Sequence, residues 1–141
     1  MKKYPEVKLE KCWIQDSITE DVVQWTNSFG KYLQTNQNGT RPLTTSQIRK
    51  FFGELKRIQA SPEKFKEEIP LLKAKLAYAV GRDHDKRGKP KSKIKEFYEE
   101  LATGIDSIRN DINNRDKDLI RFVKIVESIV AFHKYHGGKD N

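Results

Sequence analysis

Cysteine is almost absent: Cys12 is the only one in 141 residues, so no intrachain disulfide can form and no Cys-x-x-Cys pair exists to begin a metal site. A reducing compartment, the cytoplasm, is the expectation. Long apolar runs are missing as well. No segment approaches the ~18 to 20 consecutive apolar residues of a membrane span. The opening "MKKYPEVKLEKCW" is basic but leads into no apolar stretch of the kind a signal peptide needs. No membrane partner is expected. There is no G-x-x-x-x-G-K-[ST] phosphate loop, no dinucleotide fingerprint and no nucleophile elbow, so nothing calls for an enzyme or a cofactor. No stretch alternates with a period of two long enough to argue a sheet.

What remains is a lean, charged chain. Hydrophobic residues make up 35% and charged residues 34%, which suits one domain built as a bundle of amphipathic helices. Lys and Arg exceed Asp and Glu to leave a formal charge of +8 and a pI near 9.5. That balance favours an anionic partner, with nucleic acid foremost.

Residues 1–16 contain Pro5 and weak periodicity, and are expected as an extended arm; 17–141 form the helical domain. Ser17 and Glu20 fit a capping box, followed at helical spacing by Ile18, Val22, Trp25, Phe29 and Leu33 and ended by "TNQNGTRP". Thr44 and Gln47 repeat the capping signal ahead of Ile48, Phe51, Phe52, Leu55 and Ile58. Ser61 is then expected to cap a short helix carrying Phe65 and Ile69, with Pro70 kinking it or opening another through "LLKAKLAYAV" to Gly81. "GRDHDKRGKPKSK" reads as a loop, after which Ser92 can cap a helix bearing Ile94, Phe97, Leu101, Ile105 and Ile108, interrupted in composition by Gly104. After the polar break "NDINNRDKD", a last helix presents Leu119, Phe122, Val123, Val126, Ile129 and Val130, with "GGK" as its stop. The expected fold is all-α, a single compact bundle of five or six helices without an internal repeat.

The polar faces carry the candidate chemistry. On the helix after Thr44, Arg49 and Lys56 share one flank of the apolar stripe, and Lys50 and Arg57 share the outward face. Each pair lies about 10 Å apart along the axis. Such rows fit a phosphate backbone, and fit a merely solvated helix face equally. Lys75, Tyr78 and Arg82 form a second row, whose ring either stacks on a base or sugar or sits at the edge of the core. The loop adds Lys86 and Arg87, with Lys89, Lys91, Lys93 and Lys95 downstream. Arg121, Lys124 and Ser128 share the polar face of the last helix, a weaker signal.

Three histidines invite other readings. His133 and His136 have a spacing that can share a metal on a helix, but no acidic residue or cysteine accompanies them, and His133 sits beside the apolar stripe like a core histidine. Asp83, His84 and Asp85 offer a nuclease-like cluster in a glycine-rich loop with nothing to position it.

Three segments taken together, "LTTSQIRKFFGELKRI", "LLKAKLAYAVGR" and "RFVKIVESIVAFHKYHGGK", resemble the small subunit of type III-A CRISPR effector complexes, the Csm-type RNA-guided assemblies. The resemblance runs from about Pro42 to Lys139, while the arm and first helix carry little of it, and the family more often has proline where this chain has Ala74. It implies a non-catalytic all-helical subunit of a defence complex. Several copies would stack beside the repeated backbone subunit and near the large subunit, lining the channel where guide RNA pairs with target RNA. Base pairing would choose the sequence, and the protein would hold phosphates and shape. Arg49, Lys50, Lys56, Arg57, Lys75, Tyr78, Arg82, Lys86, Arg87, Arg121 and Lys124 are the candidate RNA contacts. The competing reading is a basic protein–protein interaction module with no direct RNA role.

Overall fold

The apolar stripes become six helices: α1 (Lys11–Gln15), α2 (Glu20–Gln34), α3 (Thr45–Ala60), α4 (Glu68–Arg82), α5 (Ile94–Asp106) and α6 (Arg115–Tyr135). They are seen in a computed structural model that describes residues 7–35, 41–84, 86–89 and 91–138. Among these residues there is no strand; Arg41 and Ser92 form an isolated bridge. Helix α6 is the axis of the bundle: α1, α2 and α3 pack on it, and α4 packs on α5. Its Leu119, Phe122, Val123, Val126 and Ile129 are buried, as the spacing predicts; Val130 is half-buried, and Ile125, outside the predicted stripe, is buried as well.

Local signals set two helix ends well. Thr44 accepts the Gln47 amide through its hydroxyl, and the Gln47 side chain accepts the Thr44 amide, a complete capping box. At the end of α6, Gly138 N–H donates to His133 C=O and Gly137 N–H to Lys134 C=O. That pair of bonds is a Schellman motif, and it needs the left-handed φ of 103° that Gly137 adopts without strain.

Elsewhere packing overrides the local rule. The Ser17–Glu20 box does not form: Thr19 is the N-cap of α2, its side chain makes no capping bond, and Glu20 and Asp21 instead place negative charge in the first turn. Ile18 lies outside that helix and is exposed, while Val22, Trp25, Phe29 and Leu33 are buried. Ser61 ends α3 rather than starting a helix, residues 62–67 are turns, and Pro70 sits in the first turn of α4. Ser92 holds the Ile94 amide through its hydroxyl, although Lys93 is the N-cap of α5. Helix α5 runs unbroken through Gly104, where a β-carbon would sit 2.5 Å from the Phe122 ring.

The first residues are more than an extended arm. Residues 7–16 carry α1, with Leu9, Trp13 and Ile14 buried. The Trp25 indole N–H donates to Val7 C=O, and the Leu9 amide donates to the buried Glu100. Pro5, like the rest of residues 1–6, lies outside the described residues, as do 36–40 of the turn, Asp85 and Pro90 of the loop, and Lys139.

His133 is a core histidine. It is 1% exposed, and its Nε2 meets Leu43 C=O. His136 turns to Asn27 instead, so the two rings serve separate contacts. Burial pushes the His133 imidazole below its ordinary pKa, with Lys134 adding to the effect and the Leu43 carbonyl opposing it. A depressed folded-state value means that the stabilising neutral form is fully present above the ordinary value near 6.5 and is lost as pH falls below it. Urea unfolding is therefore expected to show declining stability from pH 7 to pH 5, and His133→Gln should flatten that decline.

Candidate nucleic-acid interface

Helices α3 and α4 lean apart along one side and leave an open groove of about 780 Å³. From α3 come Gln47, Lys50, Phe51 and Glu54; from α4 come Ala74, Lys75, Leu76, Tyr78, Ala79 and Arg82; Asp83 and Ile94 close it. The i, i+3, i+4, i+7 geometry explains this. Burying Ile48, Phe51, Leu55 and Ile58 of α3 turns Lys50 and Glu54 toward α4, and burying Leu72 and Leu76 turns Lys75, Tyr78 and Arg82 toward α3. Of the α3 cations only Lys50 meets the α4 row: Lys50, Lys75, Tyr78 and Arg82 line one groove, and Arg49, Lys56 and Arg57 lie outside its lining.

The charges there are not equivalent. Glu54 accepts from both Lys75 and Arg57, and Arg57 also reaches Glu68. The Lys75 bond, then the Arg57 bond, holds the Glu54 carboxyl below its usual value, so it stays ionised in the groove. The bond to Glu68 first, and that to Glu54 second, raises Arg57 further above its already high value. Arg57 therefore fastens α3 to the start of α4, with its guanidinium 4.7 Å from the Phe65 ring centroid. Arg49 and Lys50 are exposed and make no ion pair among the described residues. Lys56 lies over the Phe52 ring. Tyr78 is 67% exposed, with the Arg82 guanidinium 5.6 Å from its ring centroid, so it stands in solvent rather than at the core edge.

The remaining candidates are dispersed. Lys86 and Arg87 are exposed in the loop beyond α4, and Lys124 is exposed on α6 away from the groove lining. Arg121 works inside the fold, donating to Ile14 C=O and to Asp118, and Ser128 bonds Thr26. Lys93 is the largest departure from the sequence reading. Counted among the loop cations, it is 1% exposed and donates to the Tyr32 and Thr35 carbonyls. Asp83 takes the Ser92 amide and hydroxyl, and His84 meets Gly81 C=O, so these members of the nuclease-like cluster serve the loop's own geometry. Among the described residues no group of His, Cys, Asp and Glu is arranged to hold a metal. Sequence reasoning passed over Glu54 as a site residue; its i, i+3 spacing to Arg57 was the available signal, whereas its pairing with Lys75 depends on how α4 docks.

The family model for Csm2 of type III-A matches residues 16–139. The chain belongs to the Csm2 type III-A family. It is thus a small subunit of a type III-A CRISPR complex. The "CRISPR system Cms protein Csm2" of Streptococcus thermophilus is 29% identical over 113 residues, covering 77% of this chain and 84% of the relative. No solved structure matches. The Csm2 match extends the likeness seen from Pro42 onward back across α2, the helix that packs most extensively on α6. No helix among the described residues is long and apolar enough to cross a membrane.

Proposed function

We propose that this Csm2 family member is a non-catalytic RNA-binding subunit that lies along guide and target RNA in its complex and holds the sugar–phosphate backbone without reading sequence. The observation that carries this reading is one open groove in which Lys50 of α3 faces the α4 row of Lys75, Tyr78 and Arg82, with the tyrosine ring exposed. Lys50 and Arg82 are the principal phosphate contacts, with Arg49 and Lys56 extending the surface along α3 and Lys86, Arg87 and Lys124 contributing from outside it. Lys75 contributes after exchanging its Glu54 bond. Arg57 and Arg121 serve mainly to hold the fold. The repeated backbone subunit, the large subunit and neighbouring copies are its protein partners, and its work is defence against viruses or plasmids.

Binding of single-stranded RNA should weaken steeply with salt, by about 0.7 in log–log slope for each phosphate neutralised. Replacing Lys50 and Arg82 with glutamine is expected to flatten the slope by ~1.4 and to lower affinity uniformly across sequences, read by fluorescence anisotropy. Arg49→Glu with Lys50→Glu separates this reading from a protein-docking role. Loss of RNA contact with assembly intact supports RNA binding, and loss of assembly with RNA contact intact sinks it. Arg57 is a poor probe for that purpose, because its reversal would set three carboxylates together at the α3–α4 contact.

A further inference from the structure

We infer that the α3–α4 groove takes unpaired nucleobases of a single RNA strand onto its apolar floor, with the flanking phosphates on the cationic rim. The inference deepens the RNA-binding reading above and rests on it. A surface that held only phosphates would gain nothing from carbon beneath them, since phosphate contacts are coulombic and made at the rim. This groove has such a floor. Phe51, Leu76 and Ile94 form its base, while the one-carbon side chains of Ala74 and Ala79 leave space beside the ring of Tyr78.

Its volume of about 780 Å³ gives room for a nucleobase, on the scale of the ~300–1,000 Å³ of small-molecule sites, although the groove is open along one side. Arg82 sits over Tyr78 and so steadies the ring from the rim, leaving it 67% exposed to a stacking partner. Lys50 on the opposite wall supplies positive charge across the groove, so that Lys50, Lys75 and Arg82 outnumber the carboxylates of Glu54 and Asp83 in the lining by one. A duplex keeps its base faces stacked internally and has none to offer Tyr78; a single strand can splay them. The chemistry therefore selects unpaired RNA.

The test compares three probes on the full-length protein: a single-stranded RNA decamer, the same sugar–phosphate strand lacking bases, and a blunt duplex of equal length. The expected order is intact strand tightest, with both the strand lacking bases and the duplex about tenfold weaker; a duplex that binds as tightly as the intact strand overturns the selection of unpaired RNA. Tyr78→Ala should cost the intact strand about tenfold and leave the strand lacking bases unchanged, while Tyr78→Phe should bind the intact strand as the parent does. Ala74→Leu, which fills the floor without touching a charge, should act like Tyr78→Ala. Equal binding of the intact strand and the strand lacking bases, with normal salt dependence, overturns this inference alone. Absence of salt-dependent binding to every probe overturns the RNA-binding reading with it.

Discussion

Replacing Asp118 with alanine is expected to lower the stability of the chain by about 3 kcal/mol, a drop of roughly 10 °C in the thermal midpoint for a domain of this size. Asp118 is fully buried at the start of α6, and one carboxylate anchors several donors there. Arg109 donates to it from its backbone amide and twice from its guanidinium, and Arg121 donates one turn along α6. Each guanidinium then continues to α1, Arg109 to Gln15 C=O and Arg121 to Ile14 C=O. Asp118 thus positions two cations over the carbonyls at the end of α1, where the helix dipole favours positive charge.

Removing a buried partner leaves charges uncompensated, which commonly costs ~3 to 5 kcal/mol. The lower end applies because Arg109 and Arg121 are 37% and 25% exposed and can recover hydration. Urea unfolding of Asp118→Ala should give the loss, and Trp13 fluorescence should report that α1 loosens first, since Trp13 lies in α1 against Trp25. The carboxyl also sets an acid limit. Burial alone would push it up, but the side-chain and backbone bonds from Arg109 outweigh burial and hold it below the ordinary value. Its stabilisation is therefore complete above pH ~4 and is lost as pH falls through the depressed folded value, so acid unfolding of the parent should be steeper than that of Asp118→Asn.

The fold was largely legible because helix periodicity and the Thr44–Gln47 box are local facts, written within a few residues of one another. Burial of Ile48, Phe51, Leu55 and Ile58 follows from spacing alone. The failures share a cause. Ser17–Glu20 has the right chemistry for a box, but the start of α2 is set by the docking of Trp25 and Val22, and the helix begins at Glu20 itself. The arm reads as irregular because α1 spans only Lys11–Gln15, too short to show a period; its place comes from Asp118, Glu100 and Trp25 far along the chain. For the candidate site, the residue types and rows were legible, and the meeting of Lys50 with the α4 row across one groove was not, because that depends on how α4, packed on α5, is set against α3. Nor does a sequence distinguish Lys50, which makes no ion pair among the described residues, from Lys75, which is tied to Glu54.

Lys93 shows the same limit most sharply, and it carries the second large expected effect. Alanine there should cost about 3 kcal/mol, read as a shift of the urea midpoint, through loss of a buried stem and of the donor that serves one buried and one half-buried acceptor. The ammonium reaches back to Tyr32 C=O and Thr35 C=O at the end of α2, where Tyr32 C=O already accepts the Thr35 amide and gains a second donor. It also lies 3.9 Å from the Tyr32 ring centroid. Burial first, and then Glu96 and Glu99, push the Tyr32 phenol up to about 12, so the ring stays neutral beneath the cation at every ordinary pH. Lys93→Met separates packing from bonding. It keeps a stem of similar length and deletes the charge, and it should recover about half of the loss. A methionine variant as stable as the parent would show that the ammonium's bonds only balance its own desolvation. Because Lys93 follows Ser92, which Asp83 at the mouth of the groove holds by two bonds, the alanine variant should also weaken RNA binding, and Lys93→Met should recover part of that binding in step with its partial recovery of stability.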